Sequence, residues 1–281
     1  MSHADERGPQ PQMACVIGWP LKSTLSPAIH NAAFEHHGDY WGYVAFPCER
    51  DQVEHAITGM RMGAFEGMNV TIPYKEVVAG LVDELDESAR DINAVNTVVV
   101  LPGRKLKGFS TDGEGLVRAI TINGGIDPRG KTVAVLGAGG AARSAIDALV
   151  KAGAATVYVV NRTRKRAVEA ASLSPVCVVG KPRVVKRCEI VINATSVGMD
   201  TDESPLKSRY LHAGQLVVDA VYSPLETRLL REAKQRGATV LDGLWMLIHQ
   251  ACVAQRLWLG REPDPQVMRD AAVRELEARA K

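Results

Sequence analysis

Short apolar runs alternate with helix-period stretches along almost the whole chain. "ACVIGW" (14–19), "YWGYVAFP" (40–47) and "FEGMNVTI" (65–72) read as strands, β-branched and aromatic between polar turns. The first two are separated by "SPAIHNAAFEHHG", with Ser26 as N-cap, Pro27 at the first helical position and Gly38 beyond the helix end. "RDQVEHAITGMRMG" supplies the helix before the third strand. That strand runs from Met68 to Ile72, Pro73 stops it, and Lys75 follows at once. "DELDESARDIN" reads as a short helix with an acidic start. "AVNTVVVLPGRKLKGFST" reads as a hairpin turning at Pro102-Gly103. A further helix runs from Asp112 to about Asn123.

"NGGIDPRG" (123–130) has the composition of a boundary. Beyond it, "KTVAVLGAGGAARSAIDALVKAGAATVYVVNR" is strand, glycine-rich turn, helix, turn and strand. "EIVINATSVGM", "LVVDAVYSP" and "TVLDG" give three more apolar runs, with "LETRLLREAKQRG" as a helix between two of them. The end is helical: "LWMLIHQACVAQRLWLG" and "PQVMRDAAVRELEARA". Strands alternating with helices predict an α/β protein with parallel sheets covered by helices on both faces. The length of 281 residues accommodates two such domains. The expected division is a polar, disordered tail over 1–12, a first domain over 13–111 with 245–281, and a second over 112–244.

Composition narrows the function. Apolar residues are 46%, charged residues 23% and the net charge is +2, with Lys and Arg scattered rather than striped, which argues against nucleic-acid binding. No apolar run approaches the ~20 residues of a membrane helix, and the N-terminus lacks the apolar core of a secretion signal. Cys15, Cys48, Cys177, Cys188 and Cys252 show no C-x-x-C spacing and read as reduced cysteines of a cytoplasmic protein. The seven histidines form no metal-ligand spacing, so no metal is expected.

"VAVLGAGGAA" carries G-x-G-x-x-A at Gly137, Gly139 and Ala142. A β-branched run directly precedes it and an amphipathic helix follows, the context in which such a turn approaches a pyrophosphate at a helix N-terminus. The next strand ends at Asn161, about 20 residues on, where an NAD-preferring site places a carboxylate against the ribose hydroxyls. Here Asn161 is followed by Arg162, Thr163, Arg164, Lys165 and Arg166. Basic side chains at a helix start oppose its dipole, and arginine forks suit a phosphate. The turn therefore predicts NADP.

Hydride transfer to a carbonyl also needs a proton donor. The nucleotide half offers no Tyr-x-x-x-Lys pair, and the first half offers Lys75. The strand before it carries Asn69 and Thr71 at alternate positions, polar where the pleat expects apolar contact. Asn96 in "AVNT" and Asp112 in "FSTDGEG" could complete a site. Spacing alone does not separate these roles from a surface lysine, a turn asparagine and an N-cap aspartate.

"NVTIPYK", "AVNT", "TDGEGL", "GAGGAAR", "NRT", "INATSVGM" and "DGLWMLIHQA", with "LSPAIHNAAF" and "VYSPLET", together resemble the shikimate dehydrogenase family in content and order from Met13 to about Asp264. The resemblance implies an N-terminal α/β substrate domain, a Rossmann-type NADP domain, a cleft between them, and C-terminal helices packing back on the first. It implies reversible NADPH-dependent reduction of 3-dehydroshikimate to shikimate by a monomer or homodimer. By position, Lys75 and Asp112 would be the catalytic pair. Thr24, Ser26, Asn69, Thr71, Asn96, Asp112, Tyr222 and Gln250 would bind substrate. Gly137, Ala138, Gly139, Gly140, Ala141, Asn161, Arg162, Thr163 and Arg166 would bind NADP, with Ala220 and Gly243 near the nicotinamide and Glu87 as a minor cofactor contact. Three positions depart from the family pattern: Thr24 for a serine (with Ser23 before it), Ser110 for an asparagine and Trp245 for a glycine. They bear on substrate range more than on reaction class. A quinate or aminoshikimate dehydrogenase of the same superfamily is the alternative, and a cofactor-binding sensor without turnover a remoter one.

Overall fold

The structure, a computed structural model, describes residues 11–21 and 24–279. The expected tail lies outside the described residues except for Pro11 and Gln12, and Gln12 already belongs to the first strand. Ser23 also lies outside them. The chain divides into two compact units, Met1–Phe109 with Ala254–Lys281, and Ser110–Val253.

The first unit opens with β1 (Gln12–Gly18), α1 (Ser26–His37), β2 (Trp41–Pro47), α2 (Val53–Arg61) and β3 (Gly67–Val70). Then come α3 (Lys75–Ala79), β4 (Glu84–Leu85), α4 (Glu87–Arg90), β5 (Thr97–Val100) and β6 (Leu106–Phe109). Strand order is β2-β1-β3-β5-β6-β4. The sheet is mixed rather than parallel. β1 runs parallel to β2 and β3, whereas β5 is antiparallel to both β3 and β6. The Pro102-Gly103 hairpin explains this, because a tight turn can only join antiparallel neighbours.

Two local expectations need correction. Ser26 does not cap α1: it is the first helical residue, Leu25 occupies the cap position without a side-chain cap, and the Ser26 N–H donates to Thr24 Oγ1 at 3.2 Å. Its hydroxyl is engaged elsewhere, as described below. The strand expected to reach Ile72 stops at Val70, since proline at 73 lacks an N–H and the chain turns ahead of it, Tyr74 N donating to Thr71 O at 3.0 Å. Lys75 thus opens a five-residue helix. All four residues of β3 are buried, so Asn69 is a polar residue inside a strand covered on both sides. Cys15, Ile17, Met60, Met68, Val78 and Val98 anchor the core around it.

The second unit contains α5 (Asp112–Arg118), continued by a π-helical turn to Asn123, then β7 (Thr132–Leu136), α6 (Gly140–Lys151), β8 (Thr156–Val160), α7 (Arg164–Ala171) and β9 (Cys177–Val179). β10 (Ile190–Asn193), β11 (Leu216–Asp219), α8 (Arg228–Gln235), β12 (Thr239–Leu241) and α9 (Gly243–Leu259) follow. Every strand pair is parallel, and the order is β12-β11-β10-β7-β8-β9. This is the doubly wound order 3-2-1-4-5-6, with its switch point between β7 and β10. Valine, isoleucine and leucine fill β7, β10 and β11, as burial on both faces requires.

α9 passes from the second unit into the first at Ala254, and α10 (Pro265–Arg279) belongs wholly to the first. There the chain's end packs on its beginning. α10 lies along α1, Gln255 Nε2 donates to the His30 carbonyl at 3.2 Å, and Trp258 Nε1 to the Val98 carbonyl at 3.1 Å. The expected return of the C-terminal helices to the first domain is thus observed.

Candidate functional site

In the first unit the candidate residues gather at the C-terminal ends of β1 and β3 and the start of β5. Thr71 N donates to Ile17 O at 2.9 Å, carrying the chain past β3 beside β1. Val95 N donates to Lys75 O at 2.9 Å, Val70 N to Asn96 O at 2.8 Å. These backbone bonds set the segment bearing Asn96 against both the end of β3 and the start of α3. Asn96 and Asn69 are buried, while Lys75 and Thr71 are half-buried. Asn69 Nδ2 donates to Asn96 O at 3.1 Å and to Thr97 Oγ1 at 3.0 Å, and its Oδ1 accepts from Tyr43 Oη at 2.7 Å. Burial pushes the Tyr43 hydroxyl well above its ordinary pKa. Ser26 Oγ accepts from Thr24 Oγ1 at 3.2 Å, so threonine at 24 keeps the hydroxyl contact a serine would make. Glu87 is exposed at the start of α4.

In the second unit Asp112 is the first helical residue of α5, and Thr111 holds the cap position without a side-chain cap. Asp112 is therefore not an N-cap. With Glu114 it puts negative charge in the first turn, where the helix dipole favours it. The Gln250 side chain is buried and used within this unit, Nε2 donating to Leu247 O at 2.8 Å and Oε1 accepting from Thr111 Oγ1 at 3.4 Å. It ties α9 to the residue just before Asp112. Ser110, the second departure, pairs its buried hydroxyl with Ser144 of α6 at 3.3 Å. Trp245 is half-buried against the core and stacks on His249, ring centroids 5.9 Å apart. Tyr222 is half-buried in the loop after β11.

The glycine-rich turn follows β7. Gly137 adopts φ +118, and a Cβ there would stand 2.9 Å from the Ala194 carbonyl oxygen, so only glycine lets the two loops meet. Gly139 holds the N-cap position of α6, and Gly139, Gly140 and Ala141 are exposed, with Ala138 half-buried. No acidic side chain occupies the first turn of α6, leaving its backbone N–H groups unopposed by negative charge. At the end of β8, Asn161 Nδ2 donates to Thr163 O at 3.0 Å, shaping the turn into α7. Arg162, Thr163, Arg164, Lys165 and Arg166 are all exposed there. A dinucleotide's pyrophosphate fits the first turn and an added phosphate the second.

Sequence reasoning missed a buried network between these loops. Asp219 ends β11 and has no exposed surface. Its Oδ1 accepts from Asn193 Nδ2 at 2.8 Å and Val221 N at 3.0 Å, and its Oδ2 from Thr227 Oγ1 at 2.7 Å. Asn193 also binds its own loop, Oδ1 accepting from Thr195 Oγ1 at 2.6 Å and Nδ2 donating to Val197 O at 3.1 Å. Burial raises the Asp219 carboxyl above its ordinary value against the lowering effect of these donors. The available signal was a polar residue closing each of two apolar runs, "VIN" and "VVD". Tyr43 and Thr97 were missed too. Among the described residues no group of three or more His, Cys, Asp or Glu side chains could hold a metal ion, and no helix is long and apolar enough to cross a membrane.

A doubly wound parallel sheet with a glycine turn and a basic second turn, joined in one chain to a smaller mixed α/β unit bearing a lysine and a buried amide cluster, defines a two-domain α/β protein of the dinucleotide-binding class. Family descriptions match in chain order: the shikimate dehydrogenase substrate binding domain over residues 16–98, shikimate / quinate 5-dehydrogenase over 121–201, and the shikimate 5'-dehydrogenase C-terminal domain over 243–273. A shikimate dehydrogenase (NADP(+)) from Pyrococcus abyssi is 42% identical across 93% of this chain and 97% of its own. The chain belongs to the shikimate dehydrogenase family. Among solved structures, shikimate 5-dehydrogenase from Thermus thermophilus in complex with NADP(H) and shikimate aligns with TM-score 0.88 at 39% identity, covering 94% of this chain and 99% of that one. A ligand-free 5-ketofructose reductase of a Gluconobacter species aligns with TM-score 0.88 at 32% identity, covering 95% and 100%.

Proposed function

We propose that this chain catalyses the reversible, NADP-dependent reduction of 3-dehydroshikimate to shikimate, a step of chorismate and aromatic amino acid biosynthesis, as a cytoplasmic monomer or homodimer. The observation that carries the reading is the 42% identity to the Pyrococcus abyssi shikimate dehydrogenase (NADP(+)) over nearly the whole of both chains. The site residues agree with it. Bound NADPH supplies the hydride to the carbonyl carbon. The exposed N–H groups at the start of α6 hold its pyrophosphate, and Arg162 and Arg166 its additional phosphate. Ala220 and Gly243 line the nicotinamide end. Lys75 donates the proton to the developing alkoxide, and Asp112 is the second residue assigned a catalytic role. Thr24 and Ser26 hold the substrate carboxylate, and Asn69, Thr71, Asn96, Tyr222 and Gln250 complete the contacts to a ring rich in hydroxyls.

The test is a steady-state matrix of shikimate and quinate against NADP and NAD. The highest kcat/KM is expected for shikimate with NADP. Preference for quinate would assign the chain to the alternative within the superfamily, and tight NADPH binding without turnover of any polyol acid would make it a sensor. Lys75→Ala is expected to lower kcat by roughly 10²–10⁴ with NADPH affinity unchanged. Loss of NADPH binding instead would overturn the role given to Lys75.

A further inference from the structure

Two of the residues assigned to substrate, Asn69 and Asn96, are linked in the first unit by a hydrogen-bonded chain that two residues with no such assignment complete. The order is Tyr43, Asn69, Thr97, Asn96. The chain has a direction, and the backbone fixes it. Asn69 Nδ2 lies 3.1 Å from the Asn96 carbonyl oxygen, which can only accept. A reversed amide would set oxygen against oxygen, so Asn69 Oδ1 must face Tyr43. The Tyr43 hydroxyl, 2.7 Å away, must then donate to it. On the other side, Thr97 Oγ1 accepts from Asn69 Nδ2 at 3.0 Å. Its hydroxyl donates to Asn96 Oδ1, also 3.0 Å away. That turns the oxygen of the Asn96 amide towards Thr97 and its Nδ2 away from it.

We infer that Thr97 and Tyr43 are positioning residues that set the polarity of the substrate-binding amides, Tyr43 holding the oxygen of Asn69 and Thr97 the oxygen of Asn96. This rests on the reading that Asn96 contacts substrate. Both residues are placed to hold the orientation. Thr97 is fully buried, Tyr43 nearly so, and the His30 ring stacks on the Tyr43 ring at 4.2 Å and 5°, fixing the plane from which the hydroxyl points. The Asn69 amide cannot reverse without an unpaired buried donor or acceptor.

Thr97→Val keeps the shape and removes the hydroxyl, Thr97→Ser keeps the hydroxyl, and Tyr43→Phe removes the donor to Asn69. Thr97→Val is expected to raise the KM for shikimate about tenfold, the scale of one misoriented hydrogen bond. Tyr43→Phe should do so less, and Thr97→Ser should stay near wild type. The KM for NADP should move less than twofold in all three. A fall in Tm with both KM values unchanged, or equal rises in both, would show a merely structural role and overturn the inference. A readout independent of turnover separates this from the functional reading: the side-chain amide resonances of Asn69 and Asn96 in 15N-labelled protein. The Asn96 pair should shift in Thr97→Val and not in Thr97→Ser. Unchanged Asn96 resonances in Thr97→Val would sink the inference whatever the substrate. A wild-type protein inactive on shikimate, yet showing the shift, would instead fail the functional reading alone.

Discussion

A carboxylate with no cation beside it is costly to bury, yet Asp219 is fully enclosed at the end of β11. Three donors satisfy it: the Asn193 amide, the Val221 backbone and the Thr227 hydroxyl. Removing it strands all three. Asp219→Ala is expected to cost about 3 kcal/mol or more by chemical denaturation, since each buried donor left unsatisfied costs about 1–3 kcal/mol. Thr227→Ser, which keeps the hydroxyl, should stay within ~1 kcal/mol of wild type. The pH dependence has a definite sign. Burial raises the folded pKa above the ordinary 3.8, so the contribution of this group is fully present below 3.8 and lost as pH rises through the folded value. Asp219→Asn removes that dependence. The stability difference between wild type and Asp219→Asn should therefore shift towards wild type as pH falls through that window. A difference independent of pH would contradict the raised pKa.

The loop after β11 and the start of α9 meet at backbone contact. A Cβ on Gly243 would stand 2.6 Å from the Ala220 carbonyl carbon and oxygen and from the Val221 carbonyl oxygen, closer than real Cβ atoms come. Gly243→Ala must push α9 away from the loop that follows β11. Overpacking of this kind costs typically about 1–3 kcal/mol. The loop is assigned to the nicotinamide end of the cofactor, so the KM for NADP should rise together with the loss of Tm. A variant with lowered Tm and an unchanged KM for NADP would remove Gly243 from the cofactor site and leave it a packing residue. The short α3 answers a different need. A five-residue helix has little stability of its own. It is held by the Val95-to-Lys75 backbone bond and by Val78 in the core, which keeps the lysine at a fixed place beside Asn96.

Each unit has hydrophobic cores of its own. Met60, Met68 and Val98 lie in a core of the first, and Ile146, Leu149 and Ile192 in a core of the second. Damage to one core should leave the ligand of the other unit bound. Met60→Ala, at a fully buried position, is expected to cost about 2–5 kcal/mol. It should lower the thermal midpoint while NADPH affinity at 25 °C stays within twofold of wild type. NADPH binding that fell with Met60 truncation would mean that the nucleotide turn depends on the first unit's core.

The sequence by itself determined the second unit almost completely. Parallel strands buried on both faces must be continuous β-branched runs, and the glycine turn and basic turn each need residue types few other settings tolerate, so β7 to α7 were legible from pattern alone. It also determined the hairpin at Pro102-Gly103 and, through the family motifs, the candidate site residues from Thr24 to Gln250. It did not determine the edge strands β4 and β9, two and three residues long, since such short runs carry no period. Nor could it decide what each polar side chain does. Ser26 stood where an N-cap would stand, and Asn69 and Thr97 were single polar residues in apolar strands. Only the fold brought Tyr43, 26 residues away in sequence, within 2.7 Å of Asn69, and joined Asn193 to Asp219 across neighbouring strands. Periodicity reports which face of an element is buried. Which donor meets which acceptor there depends on contacts between elements distant in the chain, and those exist only once it has folded.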